Sequence, residues 1–530
     1  MKKWTIILVL SLTQFIMILD SSVMNVSISN VVADLNTTVT SLQAAITFYT
    51  LTMAALMLTG GKLGDKLGRL KAFKIGAVIY GIGSLITAFS PSIKVLFFGW
   101  SIVEGLGAVL VIPATAALIA MNYKGKDRVV GYTAIGAASG IAVALGPLIG
   151  GYLTTYYSWR YVFIAETIIM LGVLIYSFSL KDSVEKSKIK LDMPSVLLSS
   201  TGMVLLVYGI LQSKTWGWLA PKAIPEISGI QIAPLGVSIV TYLIIFGTTI
   251  LWYFYRRQAM LEKAGRNPLL RVSMLDIKAL RAGIAVLSGQ YFITAAVFFV
   301  LPIYLQMVLG YDALRTGMRI FPLSVAIVLS SAAGSRLVSK YSPKQIVRLG
   351  QSALIIGALT MTGAINPEMK GIMFGSALFI VGAGLGLLVS QIGNVTMSAV
   401  EESKSSEVGG LQGTFQNFGA SLGTAIIGSV MIASLTTGFM NNINANPNIS
   451  NAVKAQVQTK AEAAGVPIAS VKEVKNYALQ SGLSESESQA VSDSYVTSQV
   501  KSLKYSMFFL AILALLMLAF SRNIPDKKIA

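Results

Sequence analysis

Apolar residues in this chain come in unbroken blocks rather than in alternation with polar ones. A run of roughly 18 or more such residues, coiled as a helix, covers a hydrocarbon core about 30 Å thick. A barrel would need strands of about ten alternating residues, and the sequence holds none. The pattern therefore dictates an all-α polytopic membrane protein. Fourteen spans are expected near 5–29, 41–61, 72–90, 94–121, 129–155, 160–180, 194–213, 232–255, 283–308, 314–335, 347–365, 371–398, 408–436 and 504–521. Charged residues make up only 12% of the chain, about half the usual share of a soluble protein.

A net charge of +19 would suggest nucleic acid in a soluble protein. Here the cations follow membrane topology, because Lys and Arg collect in cytoplasmic loops. With the N-terminus inside, 29 of the 42 Lys and Arg residues fall on the cytoplasmic side. They include the runs KLGDKLGRLKAFK, KGKDR, KDSVEKSKIK and RRQAMLEKAGR. An even number of spans then puts both termini in the cytoplasm. Met1-Lys2-Lys3 before an apolar run is the start of a signal peptide or of a first span. No small-residue cleavage site follows, so it reads as a span.

Two segments divide the series. Residues 182–282 hold two spans between basic loops, separating residues 1–181, with six spans, from residues 283–530, with six more. Residues 437–503 are polar and rich in Ser, Asn and Ala, an extracellular loop with short amphipathic helices and a capping box at Ser484 and Glu487. SRLVSKYSPK at 335–344 echoes GKLGDKLGRL at 61–70, as expected of a transporter built from repeated halves.

The chain has no Cys and no His. Disulfides and thiolate metal sites are excluded, and any proton chemistry near neutral pH falls to carboxylates. No phosphate-binding loop, metal-ligand cluster or nucleophile–base pair is present, which argues against an enzyme or an ATP-driven pump. Asp20, Glu104 and Glu166 stand in apolar surroundings at apparent membrane depth. Glu104, in SIVEGLGAVLVIPA, has no cation within nine residues on either side. An acid placed so keeps its proton until water or a cationic substrate reaches it. Glu166 lies close to the outer end of its span, where Arg160 or water could satisfy it.

Four motifs carry a resemblance. GKLGDKLGRLK at 61–71 resembles the loop between spans two and three of the major facilitator superfamily. LDSSVMNVSIS at 19–29 resembles its first-span motif, with Ser29 where the family has Pro. GPLIGGYL at 146–153 resembles the fifth-span motif of drug–proton antiporters, and LPIYLQMVLGYDALRTGMRIFP at 301–322 a region of fourteen-span members. Together they are similar to the fourteen-span drug:proton antiporter family. The resemblance implies two six-helix bundles plus two linker helices. It implies a gating latch at Gly61, Gly64, Asp65, Gly68 and Arg69, a close-packing face at Gly146, Gly150 and Gly151, and a helix bend at Pro147. It also implies a proton-coupled antiporter that exports small amphipathic, cationic compounds, a monomer in a prokaryotic plasma membrane with protons as its coupling ion and no other cofactor.

The chain departs from that family in the fourth span, where Ser101 replaces a usual Arg and Glu104 a usual Gln. WRYVFIAE at 159–166 ends in Glu166 where an Asn is common. The family's Arg-based proton step therefore does not carry over, and Asp20, Glu104 and Glu166 are the candidate proton-coupling groups. Asn25, Gln290, Tyr291, Tyr304, Gln306, Gln391, Asn394, Gln416 and Asn417 are candidate pocket residues. Two other readings stay open: a carrier of the same fold for a metabolite, lipid or siderophore, and a membrane scaffold or sensor using residues 437–503.

Overall fold

The computed structural model describes residues 3–178, 191–227, 230–369, 371–401 and 405–526. The basic run KDSVEKSKIK, where the first expected boundary falls, lies outside the described residues. Among the described residues, fourteen helices are long and apolar enough to cross a membrane.

The first span is α1 (Lys3–Val26), and a short α2 (Ile28–Asp34) follows it. The expected span 5–29 thus ends earlier, with Ser27 between the two helices. Next come α3 (Val39–Leu67) and α4 (Arg69–Ala88), divided only by Gly68. Gly68 sits at φ 96°, a conformation that costs glycine little and other residues much. A single turn, α5 (Ile93–Leu96), leads into a π-helical stretch, Phe97–Glu104, and then α6 (Gly105–Asn122). The first six spans close with α7 (Gly125–Tyr156) and α8 (Arg160–Ser177).

The inserted pair is α9 (Met193–Trp216) and α10 (Ile239–Lys263), joined by a link with two antiparallel two-residue strands. Asp192 starts α9 by accepting the amide of Ser195 at 3.1 Å. It also pairs with Arg257 of α10 at 2.7 Å, which fixes the hairpin. Lys214, near the far end of α9, is buried and donates to Gln43 of α3 at 2.7 Å.

The second six begin with α11 (Lys278–Ile303), which runs into a π-helical turn, Tyr304–Val308. They continue with α12 (Ala313–Leu337), α13 (Pro343–Ala364), α14 (Gly371–Met397) and α15 (Ser405–Ala445). Above the last two spans stand α16 (Asn451–Ala464) and α17 (Val471–Gln480), and the chain returns through α18 (Glu485–Phe520). The expected spans 408–436 and 504–521 are therefore too short. Helices α15 and α18 continue past their apolar stretches because their polar extensions pack on each other. Asn442 donates to Ser498 at 2.8 Å, and the Phe439 and Tyr495 rings meet edge to face. The Ser484–Glu487 capping box forms as read, and Ser470 with Glu473 makes a second.

Two seams join the halves. Along α3 and α15, Thr47 bonds Thr424 at 2.9 Å and Gln43 donates to the Thr424 carbonyl. Along α7 and α12, Ser324 donates to the Val143 carbonyl at 3.1 Å and Thr155 accepts the Leu314 amide at 3.0 Å.

Candidate functional site

Three helical elements of the first half bring Asp20, Glu104 and Glu166 together. Asp20 comes from α1, Glu104 ends the π-helical stretch, and Glu166 lies in α8. Each is buried, at 0%, 0% and 2% exposure, and one carboxylate oxygen of each lies within 4.8 Å of the others. The Trp100 indole donates to both oxygens of Asp20 at 2.9 Å. Trp100 is itself held by the Tyr49 ring, stacked at 4.8 Å and 11°. The π-helical turn is what makes this possible, since it presents Trp100 and Glu104 together toward α1. Single π-turns inside α-helices recur at functional sites for this reason.

Neither oxygen of Glu104 nor of Glu166 has a hydrogen-bond partner, and the buried hydroxyls of Tyr80 and Ser84 are likewise unpartnered. Those hydroxyls face the acids from α4. Helix α4 approaches so closely because residue 83 is Gly. A Cβ there would stand 2.5 Å from the Glu104 amide nitrogen. No described ion pair includes any of the three acids.

An ionised carboxylate buried without partners costs many kcal/mol, and three at this range repel one another. The cluster can therefore exist only with protons shared among its members, or with a cation between them. Its oxygens are close enough for either, a set that sequence reading did not identify as a metal-ligating cluster. Of the two partners open to Glu166, Arg160 is engaged elsewhere. It pairs with Asp34 at 2.8 Å and donates to the Ala88 and Ser90 carbonyls. Ser101, at the family's Arg position, donates to the Ala45 carbonyl at 2.8 Å and holds the π-turn against α3.

The loop motif folds on itself. Arg69 donates to Asp65, and Gly64 lies under the Arg69 side chain, 3.0 Å from where its Cβ would be. Gly61, by contrast, faces open space, and a Cβ there would meet nothing within 4 Å. The link to the second half is Glu407, which takes Lys62 at 3.7 Å and Arg271 at 3.1 Å. Sequence reading passed over it; the available signal was an acid at the very start of a span facing a basic loop.

The glycine-rich motif lies between three helices. Cβ atoms at Gly146 and Gly150 would strike Ser22 and Val23 of α1, at 2.6 and 2.7 Å. At Gly151 a Cβ would strike the Ala313 carbonyl of α12, at 2.6 Å. The Pro147 carbonyl meets Gly317 of α12 in the same way.

The candidate pocket residues differ in their surroundings. Gln306 bridges the halves, donating to the Val26 carbonyl at 2.5 Å and accepting the Ser29 amide at 3.0 Å. A proline in place of Ser29 would have no such amide to give. The Tyr304 hydroxyl is occupied by Asn366, and the Gln391 amide donates to the Gly334 carbonyl. Tyr304 and Gln306 tie elements together rather than offering free groups to a ligand, while Gln391 keeps an unpartnered side-chain oxygen. Asn394 is exposed and accepts from Ser398, while Asn417 donates within α15. Gln416 and Tyr291 are half-buried. Asn25 and Gln290 are buried, and each keeps an unpartnered side-chain oxygen.

Known proteins agree with the fold. The model of the Major Facilitator Superfamily matches residues 10–424. The puromycin resistance protein of Streptomyces alboniger is 26% identical over 434 residues, 81% of this chain and 82% of that protein. The probable actinorhodin transporter of Streptomyces coelicolor is 26% identical over 443 residues, 82% of this chain and 73% of that one. Among solved structures, a bacterial homologue of the human lysosomal transporter Spinster superposes with a TM-score of 0.63 at 13% identity, covering 100% of this chain and 98% of that one. A D-xylose–proton symporter superposes with a TM-score of 0.56 at 15% identity, covering 81% and 90%. Likeness at that identity speaks for the fold alone.

Proposed function

The chain belongs to the Major Facilitator Superfamily, and from that premise we propose that it is a proton-coupled exporter of small amphipathic cations. The observation that carries this reading is the buried cluster of Asp20, Glu104 and Glu166, three acids that share one site with no basic partner. In the resting site the cluster holds protons. An arriving cation takes over the negative charge, and a proton leaves to water. Reprotonation from the other side of the membrane expels the cation and resets the site. Asp20, fixed by Trp100, supplies a positioned carboxylate, while Glu104 and Glu166 supply oxygens that no other described group occupies.

The curated relatives include resistance proteins for puromycin and tetracenomycin C and a probable actinorhodin transporter, which supports export of a drug-like molecule. The charge of the cluster supports a cation. The cluster's depth within the first bundle, beside α1 and α8, supports coupling through bundle motion, with the Asp65–Arg69 turn and Glu407 as the contact that biases it.

Proteoliposomes loaded with a fluorescent cationic dye test the proposal. An imposed pH gradient drives dye movement through the wild type. Asp20→Asn and Glu104→Gln, made singly, abolish gradient-driven flux while the protein still purifies as a stable monodisperse species. Undiminished flux in both variants overturns the assignment.

A further inference from the structure

A cavity of about 720 Å³ lies well away from the carboxylate cluster, on the face where α2 meets α3. Its volume is within the range of small-molecule sites, about 300–1,000 Å³. Helices α16, α17 and α18, with the links between them, supply most of its wall, through residues such as Val457, Val474, Ala478 and Val491. Val32 and Thr38 of the first half complete it. The lining is thus drawn from both halves, and movement of one against the other reshapes it.

The frame around this cavity is built, not loose. The Tyr495 hydroxyl donates to the Pro467 carbonyl at 2.9 Å and accepts the Ala469 amide at 2.9 Å. Thr436 of α15 accepts the Val466 amide at 3.0 Å. Two capping boxes fix the starts of α17 and α18. Such bonds hold open an apolar space that hydrophobic contact alone would tend to collapse.

The chemistry of the lining is lopsided. It is almost wholly apolar, and Glu473 is the one formally charged residue among those described there. Ser470 donates to a single oxygen of Glu473, through its amide at 2.7 Å and its hydroxyl at 2.9 Å. The nearby Lys475 is taken by Glu485 at 2.7 Å. An apolar chamber with one carboxylate and no lining cation suits a molecule with a large apolar body and a single positive charge.

We propose that this chamber is a binding site for lipophilic cations, separate from the carboxylate cluster and formed by the helices above the last two spans. Its occupancy does not depend on the transport reading, since none of its walls belongs to the cluster.

The chain has no cysteine, so one introduced thiol reports on the chamber alone. In purified full-length protein, Val474→Cys is alkylated by a maleimide with and without tetraphenylphosphonium, or tetraphenylborate of the same shape and opposite charge. The phosphonium should slow alkylation several-fold and the borate should not. Val457→Cys repeats the measurement from another wall, and Gln480→Cys, at an exposed position, should respond to neither ion. Glu473→Gln keeps the capping box, because Gln serves at that position, and should erase the difference between the ions. Ala478→Trp, which fills the chamber, should remove protection. Asp20→Asn should leave protection intact even where it stops transport. Equal protection by both ions, no protection by the phosphonium at either wall, or protection that follows added phospholipid instead would each overturn the proposal.

Discussion

Asp20 is held by the Trp100 indole, with the Tyr49 hydroxyl as a second donor. The Trp100 indole reaches both of its oxygens, and loss of a buried partner costs about 1–3 kcal/mol. Trp100→Phe keeps an aromatic ring against Tyr49 but removes that donor. It is expected to cut gradient-driven dye flux by roughly tenfold, the rate equivalent of about 1.4 kcal/mol, with protein yield unchanged; wild-type flux would show that the bond does not matter. Gly83 and Gly61 form a contrasting pair. Gly83→Ala places a methyl 2.5 Å from the Glu104 amide nitrogen, and overpacking of this kind costs about 1–3 kcal/mol. Gly61→Ala meets open space and should leave melting in detergent unchanged or slightly raised, so thermal scans of the two variants should diverge. The acids themselves were legible in the sequence, because uncompensated charge in an apolar block is costly wherever it stands. Trp100, Tyr80 and Ser84 were not, since an aromatic or a hydroxyl in a membrane helix costs little and carries no such mark.

At the scale of elements, π-helical geometry and helix ends decide what meets what. The turn at Phe97–Glu104 adds a residue to the helical register, and no composition or period announces it. Caps are more readable, as the Ser484 and Glu487 box shows. Asp192 illustrates a cap with a second duty. Its pairing with Arg257 holds its carboxyl down to about 2 from an ordinary 3.8. A carboxyl lowered on folding contributes stability that is complete above its ordinary value and is lost as pH falls through the lowered one. Asp192→Asn preserves a good cap while losing the ion pair. The variant should therefore melt below the wild type at neutral pH, and the gap should close as pH drops from 3.8 toward about 2. A gap that stays constant over that range would mean the Arg257 pairing contributes nothing. The lengths of α15 and α18 escaped the sequence for a different reason. Hydropathy stops at the membrane edge, whereas these helices continue as a mutually packed polar pair.

For the whole molecule, block length was enough to give fourteen spans. Motif resemblance was enough to name the superfamily. What neither could supply was convergence, because Asp20, Glu104 and Glu166 are separated by 84 and 62 residues in the chain and meet only when α1, α4 and α8 pack around the π-turn. The closed seams at α3–α15 and α7–α12 make the two halves mutually dependent. Gly317 touches the Pro147 carbonyl of the other half, so the glycine-rich motif belongs as much to the contact between bundles as to the packing of α7 on α1. The central claim is that cation and proton compete for one buried cluster. Its most direct test is proton release, read with a pH indicator as a cationic dye binds the purified protein in weak buffer. Dye binding should release at least one proton per chain in the wild type and none in the combined Asp20→Asn, Glu104→Gln and Glu166→Gln variant. Stoichiometric binding to the wild type with no proton released would contradict the account.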